Sequence, residues 1–481
     1  MTDTRPAATP APDVDAPSQP PGPSRRDQRR FAVGVVGVTL FALAVRVTWV
    51  LVARRNFPLK GDDYYYHWQA NALADGLGFL NPFSWKALGR IDPSAAHPPL
   101  YSMYLAVISW FGGTTPLAHR LASCVLGAAA IGVVALVARR IAGERAGIVA
   151  GLLGAVYPML WINDGMLISE SMYVLVIALV LLASYRLWST RSRLDALFLG
   201  ATIGLACLTR PEAIMLVPFI GLPFLFLGGG WRPRLLPAFL VALACLVVIL
   251  PWWVRNLTTF EEPVFLATGH GSVLQIANCD GTYHGALLGY WDINCLTADR
   301  PPATAEQRKL QRSTKVPGLV YLIAQDPRDE SIPDVAARDK AFHYIRHHLT
   351  RAPIVALARV GRVWGVYRVS QEVSLDTFFE RRGKWPSWAG TWMYYGLVAL
   401  SVYALVVMRK RRVPISPMIA IVAMVTVTAA ISIGITRYRV GADVMLVVLG
   451  GVGVDALWRR LEARRRGPRP VPQPEGELVA P

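Results

Sequence analysis

The chain consists of long apolar runs separated by short polar connections and by two long polar segments. Each run holds roughly 16–23 mainly apolar residues, close to the length that a helix needs to cross a bilayer core of about 30 Å. The pattern predicts an all-α polytopic membrane protein with about ten transmembrane helices. The predicted spans are residues 31–53, 117–138, 146–162, 170–187, 194–209, 211–229, 235–254, 387–408, 414–435 and 441–457.

The two polar segments divide the chain into predicted units. Residues 342–369 of the second segment mix His and Arg with apolar positions at helical spacing, which predicts amphipathic helices in the membrane interface. The apolar stretch 99–112 is short for a full span and predicts a re-entrant or interfacial helix. The predicted units are a disordered tail (1–30), an N-terminal transmembrane catalytic module (31–254) containing the first polar segment (54–98), the second polar segment (255–386), C-terminal transmembrane helices (387–458) and a basic, disordered tail (459–481).

The basic residues indicate how the chain is oriented. The formal net charge of +18 comes from short basic groups between apolar runs, a pattern that excludes a nucleic-acid-binding face. Four arginines lie within residues 25–30, before the first span, and the strongest basic group, residues 409–412, follows the eighth. Because basic residues favour the cytoplasmic side, both termini are predicted to be cytoplasmic and both polar segments to lie outside.

The first polar segment contains the sequence KGDDYYYHWQ, in which Asp62 and Asp63 are adjacent. A carboxylate at this place can act as a general base towards a hydroxyl group, whereas the alternative is a pair of acids in a solvated loop. Residues 64–77 carry apolar and aromatic positions at helical spacing, which predicts an amphipathic helix at the bilayer surface. Asp62 would lie near the N-terminus of this helix, where negative charge is favoured.

Further polar residues lie at the predicted outer ends of the spans. His97 precedes two prolines that stiffen the chain, and Asp164 and Glu170 lie between the third and fourth spans. Arg255 follows the seventh span and Arg437 follows the ninth. Taken singly, each of these residues could have a purely structural role, such as capping a helix or anchoring the chain at the membrane interface. Together, arginines and a carboxylate on one face indicate an anionic lipid headgroup, because guanidinium pairs bidentately with phosphate.

The five cysteines divide between spans and polar segments. Cys279 and Cys295 both fall in the second polar segment, where an oxidising compartment would permit a disulfide. The other three, Cys124, Cys207 and Cys245, lie within predicted spans and are expected to be small buried residues. No Cys or His spacing resembles a zinc site.

Five short motifs occur in order along the chain. They are G-D-D-x-x-Y from Gly61, H-P-P-L-Y from His97, S-E at Glu170, P-W-x-x-R-N ending at Asn256, and R-Y-R-V from Arg437. This order and common sidedness resemble the GT-C glycosyltransferases of the protein mannosyltransferase and aminoarabinose transferase type (glycosyltransferase family 39/83-like), in their bacterial form. The resemblance covers about residues 31–460.

The resemblance implies a GT-C fold and a specific reaction. Such enzymes pass a sugar from a polyprenyl-phosphate sugar to a hydroxyl acceptor on the outer face of the cytoplasmic membrane, usually with inversion. The acceptor would be a glycan, lipid or protein, and cell-envelope synthesis the setting. Asp62 matches the family's base, and Asp63 its acidic neighbour. The carried-over donor-phosphate ligands are Arg255, Arg437 and His97, and the candidate substrate-binding residues are Tyr65, Tyr66, Glu170 and Asp164.

Other functions and a metal remain open alternatives. A ligase or polymerase using diphosphate-linked donors would share the membrane sidedness. A lipid or solute transporter would place ionisable groups at mid-membrane and often show repeated halves, and the chain shows no internal repeat. No cofactor is required, because the leaving phosphate carries its charge well. A divalent ion held by Asp62, Asp164 and Glu170 is possible if they converge, but it is not favoured.

Overall fold

The computed structural model describes residues 25–226, 232–296 and 328–465, together with residues 304, 305, 308 and 309. Helices make up the regular structure of these residues, apart from one isolated β-bridge between Leu80 and Pro93. Residues 25–30 and 459–465 are helical, so the predicted disordered tails are wrong there. The remainder of both predicted tails lies outside the described residues.

The described helices are numbered here in chain order. The first ten are α1 (Arg25–Trp49), α2 (Asp62–Ala74), α3 (Pro82–Leu88), α4 (Leu100–Trp110), α5 (Pro116–Ala142), α6 (Glu144–Val156), α7 (Pro158–Trp161), α8 (Glu170–Thr190), α9 (Arg193–Cys207) and α10 (Leu216–Phe226). The others are α11 (Arg232–Thr259), α12 (His270–Ala277), α13 (Asp280–Tyr283), α14 (Ser331–His347), α15 (Ala352–Val363), α16 (Val369–Phe378), α17 (Lys384–Lys410), α18 (Ser416–Ile431) and α19 (Val440–Arg465). A π-helix (Val50–Arg54) continues α1, and 3-10 turns cover Asp164–Met166, Pro211–Met215, Ile293–Leu296 and Thr436–Arg439.

Six described helical segments are long and apolar enough to cross a membrane, or seven if α6 and the segment Pro158–Met166, bent by 64°, form one span. The predicted count of ten is therefore not confirmed. Several predicted runs form shorter helices. In the run predicted from residue 211, for example, a 3-10 turn that begins at Pro211 precedes α10. The six segments are Arg25–Arg54, Pro116–Ala142, Glu170–Thr190, Pro233–Thr259, Lys384–Lys410 and Thr436–Arg465.

Helix α19 forms the centre of the bundle, and 89% of the most apolar 18-residue stretch of its segment is buried. Glycines allow this close packing. A Cβ on Gly451 would lie 2.5 Å from the Ala150 Cβ and 2.7 Å from the Ala146 carbonyl oxygen in α6. Small residues at such crossings let backbones approach where lipid supplies no hydrophobic driving force.

The two polar segments cover one end of this bundle. Helices α2 and α4 pack together, and α12 packs on α14, where a Cβ on Gly271 would meet the backbone of Asp334. Cys279 and Cys295 are joined by a disulfide with a Cα–Cα distance of 6.2 Å. Helix α15, within the region predicted to lie in the interface, leaves Leu357 72% exposed.

Candidate active site

The N-terminus of α2 fixes two adjacent carboxylates. Gly61 precedes the helix with φ 67°, a left-handed value that glycine adopts without steric cost. The Asp63 Oδ1 atom accepts hydrogen bonds from the backbone N–H of Lys60 (2.5 Å) and of Tyr64 (2.9 Å). Because negative charge is stabilised at this end of a helix, the sequence places both acids in a defined geometry.

The two acids lie at the N-terminus of a helix, as predicted. The helix itself differs from the amphipathic surface helix that the sequence predicts. The helix was expected to lie on a surface with one polar face. Instead most of α2 is buried, including the polar residues His67, Gln69 and Asn71. These side chains are satisfied inside the protein, since Gln69 accepts from Ser102 (2.5 Å) and Asn71 from Ser109 (2.7 Å).

Asp62 belongs to a cluster of acids around one arginine, here named the acid cluster (Asp62, Glu170 and Glu380 around Arg437). The Arg437 Nη2 atom donates to the Asp62 Oδ2 atom at 2.7 Å, and its Nε atom donates to Glu170. Its Nη1 atom lies 3.5 Å from the Glu380 Oε2 atom. Glu170 is fully buried, whereas the Asp62 side chain is 33% exposed. Asp62 is therefore the member of the cluster that a substrate can reach.

The pKa of Asp62 follows from these contacts. Burial raises the pKa of the carboxyl, but the nearby charges of Arg437 and His97 outweigh burial and hold the pKa well below its usual range. The Asp62 carboxylate is therefore ionised at neutral pH. It can accept a proton in the reaction only if its hold on Arg437 weakens.

Two further residues extend the acid cluster into the bundle. Arg210 donates to Glu170, and its Nε atom lies 2.5 Å from the Glu212 Oε1 atom. The Arg210 guanidinium also lies 4.9 Å from the Tyr438 ring centre. Arg210 was not among the site residues predicted from the sequence. Its position between two predicted spans, directly before Pro211, is the signal that points towards the site.

His97, Tyr65 and Tyr66 form an aromatic wall beside Asp62. The His97 Nε2 atom lies 3.5 Å from the Asp62 Oδ1 atom, and its ring centre lies 4.8 Å from each tyrosine ring. Burial raises the pKa of both tyrosines above its ordinary value, so both hydroxyls stay neutral. The Tyr65 hydroxyl is within 2.8 Å of the Ser94 Oγ atom. The structure thus brings His97 and both tyrosines to the predicted place.

Glu330, which the sequence analysis missed, closes the base of this wall. One carboxylate oxygen accepts from the Ala95 N–H (2.5 Å) and the Thr268 hydroxyl (2.7 Å), and the other accepts from the Ser94 hydroxyl (2.9 Å). These bonds tie the second polar segment to the loop that precedes His97. Burial raises the pKa of the Glu330 carboxyl, although the same hydrogen bonds partly oppose the shift.

Arg255 lies on the far side of the wall. Its Nη1 atom donates to the Ser94 carbonyl (3.2 Å), and its Nη2 atom donates to the Phe79 carbonyl (3.1 Å). The guanidinium also stacks at 4.9 Å from the Trp252 ring centre. No contact joins Arg255 to Asp62 in the described chain, so the structure does not bring it to the acid cluster. It supports the loop that carries Ser94 instead.

Asp164 is engaged elsewhere as well. Its Oδ2 atom lies 2.8 Å from the Arg46 Nε atom of α1, and both side chains are buried at 1% exposure or less. The side chain therefore compensates a charge inside the bundle. It does not join Asp62 and Glu170, as shared metal ligation would require. Within the described residues, no group of three or more His, Cys, Asp or Glu side chains could hold a metal ion.

Asp63 faces a second cluster, here named the arginine cluster (Arg54, Arg120, Arg381 and Arg382). The Arg381 Nη1 atom lies 3.5 Å from the Asp63 Oδ2 atom. Burial raises the pKa of the Asp63 carboxyl to about 6, and the N–H groups of Lys60 and Tyr64 and the charge of Arg381 oppose that shift. Asp62 and Asp63 thus face different surroundings.

The sequence Glu380-Arg381-Arg382 connects the two clusters. Glu380 contacts Arg437, Arg381 contacts Asp63, and the Arg382 Nη2 atom donates to Asn163 at 3.1 Å. The sequence analysis did not select these residues. Their signal was two arginines directly before a predicted span, on the side where basic residues are disfavoured.

Comparison with known proteins supports the fold. Residues 96–254, about a third of the chain, match a family described as dolichyl-phosphate-mannose-protein mannosyltransferase. No curated protein matches the sequence. An archaeal oligosaccharyltransferase, AglB from Archaeoglobus fulgidus, in complex with an inhibitory peptide and a dolichol-phosphate, is similar in structure, with a TM-score of 0.52, 15% identity, and coverage of 93% of this chain and 53% of that chain.

Two further structures are similar. The Archaeoglobus fulgidus oligosaccharyltransferase in its apo form gives a TM-score of 0.54 at 16% identity, over 92% of this chain and 52% of that chain. ArnT from Cupriavidus metallidurans bound to undecaprenyl phosphate gives 0.39 at 16% identity, over 90% and 78%. The chain spans about half the length of the oligosaccharyltransferase chains. The two oligosaccharyltransferase matches, with the all-helical architecture, show that this chain has the GT-C fold of membrane glycosyltransferases.

Proposed function

We propose that this chain is an integral membrane glycosyltransferase. It transfers a sugar, with inversion, from a polyprenyl-phosphate sugar to a hydroxyl acceptor on the outer face of a bacterial cytoplasmic membrane, in cell-envelope synthesis. The observation that carries the proposal is Asp62, a partly exposed carboxylate held at a helix N-terminus by Arg437. The match to a mannosyltransferase family and the dolichol-phosphate bound to the similar AglB support a lipid-linked donor.

The reaction is a single displacement at the anomeric carbon. The acceptor oxygen bonds to that carbon while the bond from the carbon to the phosphate oxygen breaks, and its electron pair leaves on the phosphate. The acceptor proton passes to the Asp62 carboxylate. His97, 3.5 Å from Asp62, lies where it can orient the acceptor or the phosphate. Such a positioned base contributes about 10²–10⁴ to the rate.

Arg437 links donor binding to the strength of this base. In the absence of substrate its guanidinium is shared among Asp62, Glu170 and Glu380. A bound donor sugar that shifts Arg437 towards Glu170 and Glu380 weakens its ion pair with Asp62, and the pKa of Asp62 then rises towards that of a working base. Buried Glu170 orients Arg437, Tyr65 and Tyr66 line the sugar site, and Arg255 and Asp164 act through the loops and helices they support.

A direct test uses purified protein in nanodiscs, radiolabelled polyprenyl-phosphate and polyprenyl-diphosphate sugars, and a cell-envelope extract as acceptor. Wild type should transfer from a monophosphate donor, and Asp62→Asn should lower the rate at least about a hundredfold because the base is lost. Asp75→Asn, at an exposed acid at the end of the same helix, is the matched control and should transfer at the wild-type rate. Transfer only from diphosphate donors, or full activity of Asp62→Asn, would contradict the proposal.

A further inference from the structure

One arginine in the arginine cluster lacks a counter-charge of its own. Arg54 ends the π-helix that continues α1, and only 3% of the residue is exposed. Its guanidinium lies 4.2 Å from the Phe57 ring centre and 5.3 Å from the Trp49 ring centre. Its Nε atom has no hydrogen-bond partner among the described residues. A buried cation without such a partner is costly, so its retention requires an explanation.

The neighbouring charges do not compensate Arg54. Arg120, Arg381 and Arg382 all repel it, and Asp63 is the acid that attracts it. Asp63 is already 3.5 Å from Arg381, and the Arg382 Nη1 atom lies 3.7 Å from Asp376. The cluster therefore holds four guanidinium groups against two carboxylates.

Arg120 completes the frame of this cluster. Its three donor atoms bond to the carbonyls of Gly165 (3.1 Å), Arg54 (2.8 Å) and Phe57 (2.7 Å). These bonds fix the backbone on both sides of the Arg54 side chain. They also occupy all three donor atoms of Arg120 with structural contacts. Arg381 uses its Nη2 atom in the same way, donating to the Pro58 carbonyl at 2.5 Å, but its Nη1 atom makes only the long contact with Asp63. Arg54 and Arg381 are therefore the arginines that can bind a ligand.

The local backbone makes room for Arg54. The π-helix is an irregularity that proteins often retain at functional sites. On the opposite side, a Cβ on Gly165 would lie 2.7 Å from the Arg54 Cγ atom and 3.2 Å from the Trp49 Nε1 atom. Only a residue without a side chain leaves this space, so both chain segments fit a buried arginine at position 54.

Arg381 connects the buried position with the surface. Its guanidinium lies 4.3 Å from the same Phe57 ring that Arg54 contacts, and its side chain is 20% exposed. Four residues later in the sequence, Trp385 is 62% exposed and packs on Trp49 with ring centres 5.9 Å apart. An exposed tryptophan at the end of a candidate span is typical of the membrane interface. A lipid chain can therefore run past Trp385 while its headgroup approaches Arg381.

We infer that Arg54 and Arg381 form a phosphate subsite that binds the phosphate of the polyprenyl donor, on the opposite side of the Asp62–Asp63 pair from the acid cluster. This inference rests on the proposed function and deepens it. The phosphate supplies the negative charge that the arginine cluster lacks and accepts hydrogen bonds from two guanidinium groups. Arg381 exchanges its contact with Asp63 for the phosphate.

Binding of a polyprenyl monophosphate without a sugar tests the inference independently of transfer. The full chain is placed in phosphatidylcholine nanodiscs, and binding of the radiolabelled lipid is titrated. Arg381→Gln and Arg54→Met should each weaken binding at least about tenfold, because each removes a charged hydrogen-bond donor. Arg55→Gln, next in sequence and exposed, is the matched control and should bind as wild type does.

Stability separates a binding role from a structural one. Without lipid, Arg54→Met should raise the thermal unfolding midpoint, because an apolar side chain replaces an uncompensated buried charge. An arginine retained only for structure would give the opposite shift. Arg381→Gln is more exposed and reports on binding even if the buried variant folds poorly.

Competition identifies the source of the phosphate. Excess phosphatidylglycerol or inorganic phosphate should not displace the labelled lipid from wild type. Displacement by either at similar concentration, or wild-type affinity in both arginine variants, would overturn the inference. If wild type transfers sugar but the variants bind the lipid with unchanged affinity, the proposed function would stand and the subsite would be wrong. If the arginine variants lose lipid affinity but the wild-type chain transfers no sugar, the subsite would stand and the proposed function would be wrong.

Discussion

Asp62 and Asp63 are neighbours in the sequence, yet their carboxylates face opposite surroundings. Asp62 is one-third exposed and receives a hydrogen bond from Arg437 at 2.7 Å, which holds its pKa well below the usual range. Asp63 is buried and lies 3.5 Å from Arg381, so burial dominates and raises its pKa to about 6. One turn of helix thus presents an ionised group to one cluster and a readily protonated group to the other.

The contrast shows that burial and pairing, not residue type, assign the two roles. In the acid cluster, three carboxylates share one arginine, and a partly exposed acid remains available to a substrate. In the arginine cluster, four guanidinium groups share two carboxylates, so the positive charges outnumber the negative ones. An inverting transferase needs both surroundings, since it must remove a proton on one side of the sugar and stabilise a phosphate on the other.

The largest expected effect comes from removing the centre of the acid cluster. Arg437→Gln would leave Asp62, Glu170 and Glu380 without their shared cation. Glu170 is fully buried and would keep only Arg210, so breaking its pair with Arg437 should lower the free energy of unfolding by about 3 kcal/mol. Equilibrium unfolding in mixed micelles measures this, with Arg55→Gln as the control. A loss below about 1 kcal/mol would show that Arg437 is not the charge that holds the cluster together.

A smaller effect concerns the pH dependence of Asp63. Its folded pKa of about 6 exceeds the ordinary value of about 3.9, so the folded chain keeps the proton over a range where the unfolded chain has lost it. The stability that this group contributes is complete below about pH 4 and is lost as the pH rises through about 6. The loss is about 3 kcal/mol.

The variant Asp63→Asn does not titrate at this position and should remove that slope. Unfolding free energies of wild type and variant, measured between pH 4.5 and pH 7.5, should diverge as the pH rises, with the variant gaining. Asp75→Asn, at an exposed acid on the same helix, should follow wild type. Parallel curves for wild type and Asp63→Asn would mean that burial does not raise the pKa of Asp63.

The smallest expected effect comes from the edge of the acid cluster. Glu380 lies 3.5 Å from Arg437 and is 15% exposed, so it is the weakest of the three acidic partners. Glu380→Gln should therefore cost no more than about 1 kcal/mol of unfolding free energy. A thermal shift as large as that of Glu170→Gln would show that the three acids contribute equally.

The sequence was sufficient for the all-helical membrane fold and for part of the site. Asp62, Glu170 and Arg437 are far apart in the chain, yet each was placed at the same predicted end of the bundle by counting spans and basic groups. The structure brings these three into direct contact. Assigning each residue to one side of the membrane was enough to predict that the three lie near one another, because a bundle of spans has only two ends.

Other residues depend on packing that periodicity does not encode. Arg255 and Asp164 have the expected chemistry at the expected end, but Arg255 donates to Asn256 and two loop carbonyls, and Asp164 pairs with Arg46. Glu380 and Arg381 reach the site because the segment before α17 folds back against α2. Such a return depends on how a long segment packs, and a single sequence does not fix it.

The contrast between Asp62 and Asp63 is tested most directly by single-turnover sugar transfer with Asp62→Asn and Asp63→Asn side by side, using a polyprenyl-phosphate sugar donor. Asp62→Asn should slow the chemical step at least about a hundredfold, and Asp63→Asn by less than about tenfold, because Asp62 alone is the proposed base. Both variants must bind the donor, so that the difference belongs to chemistry. Equal losses, or a larger loss for Asp63→Asn, would contradict the assignment of the base to Asp62.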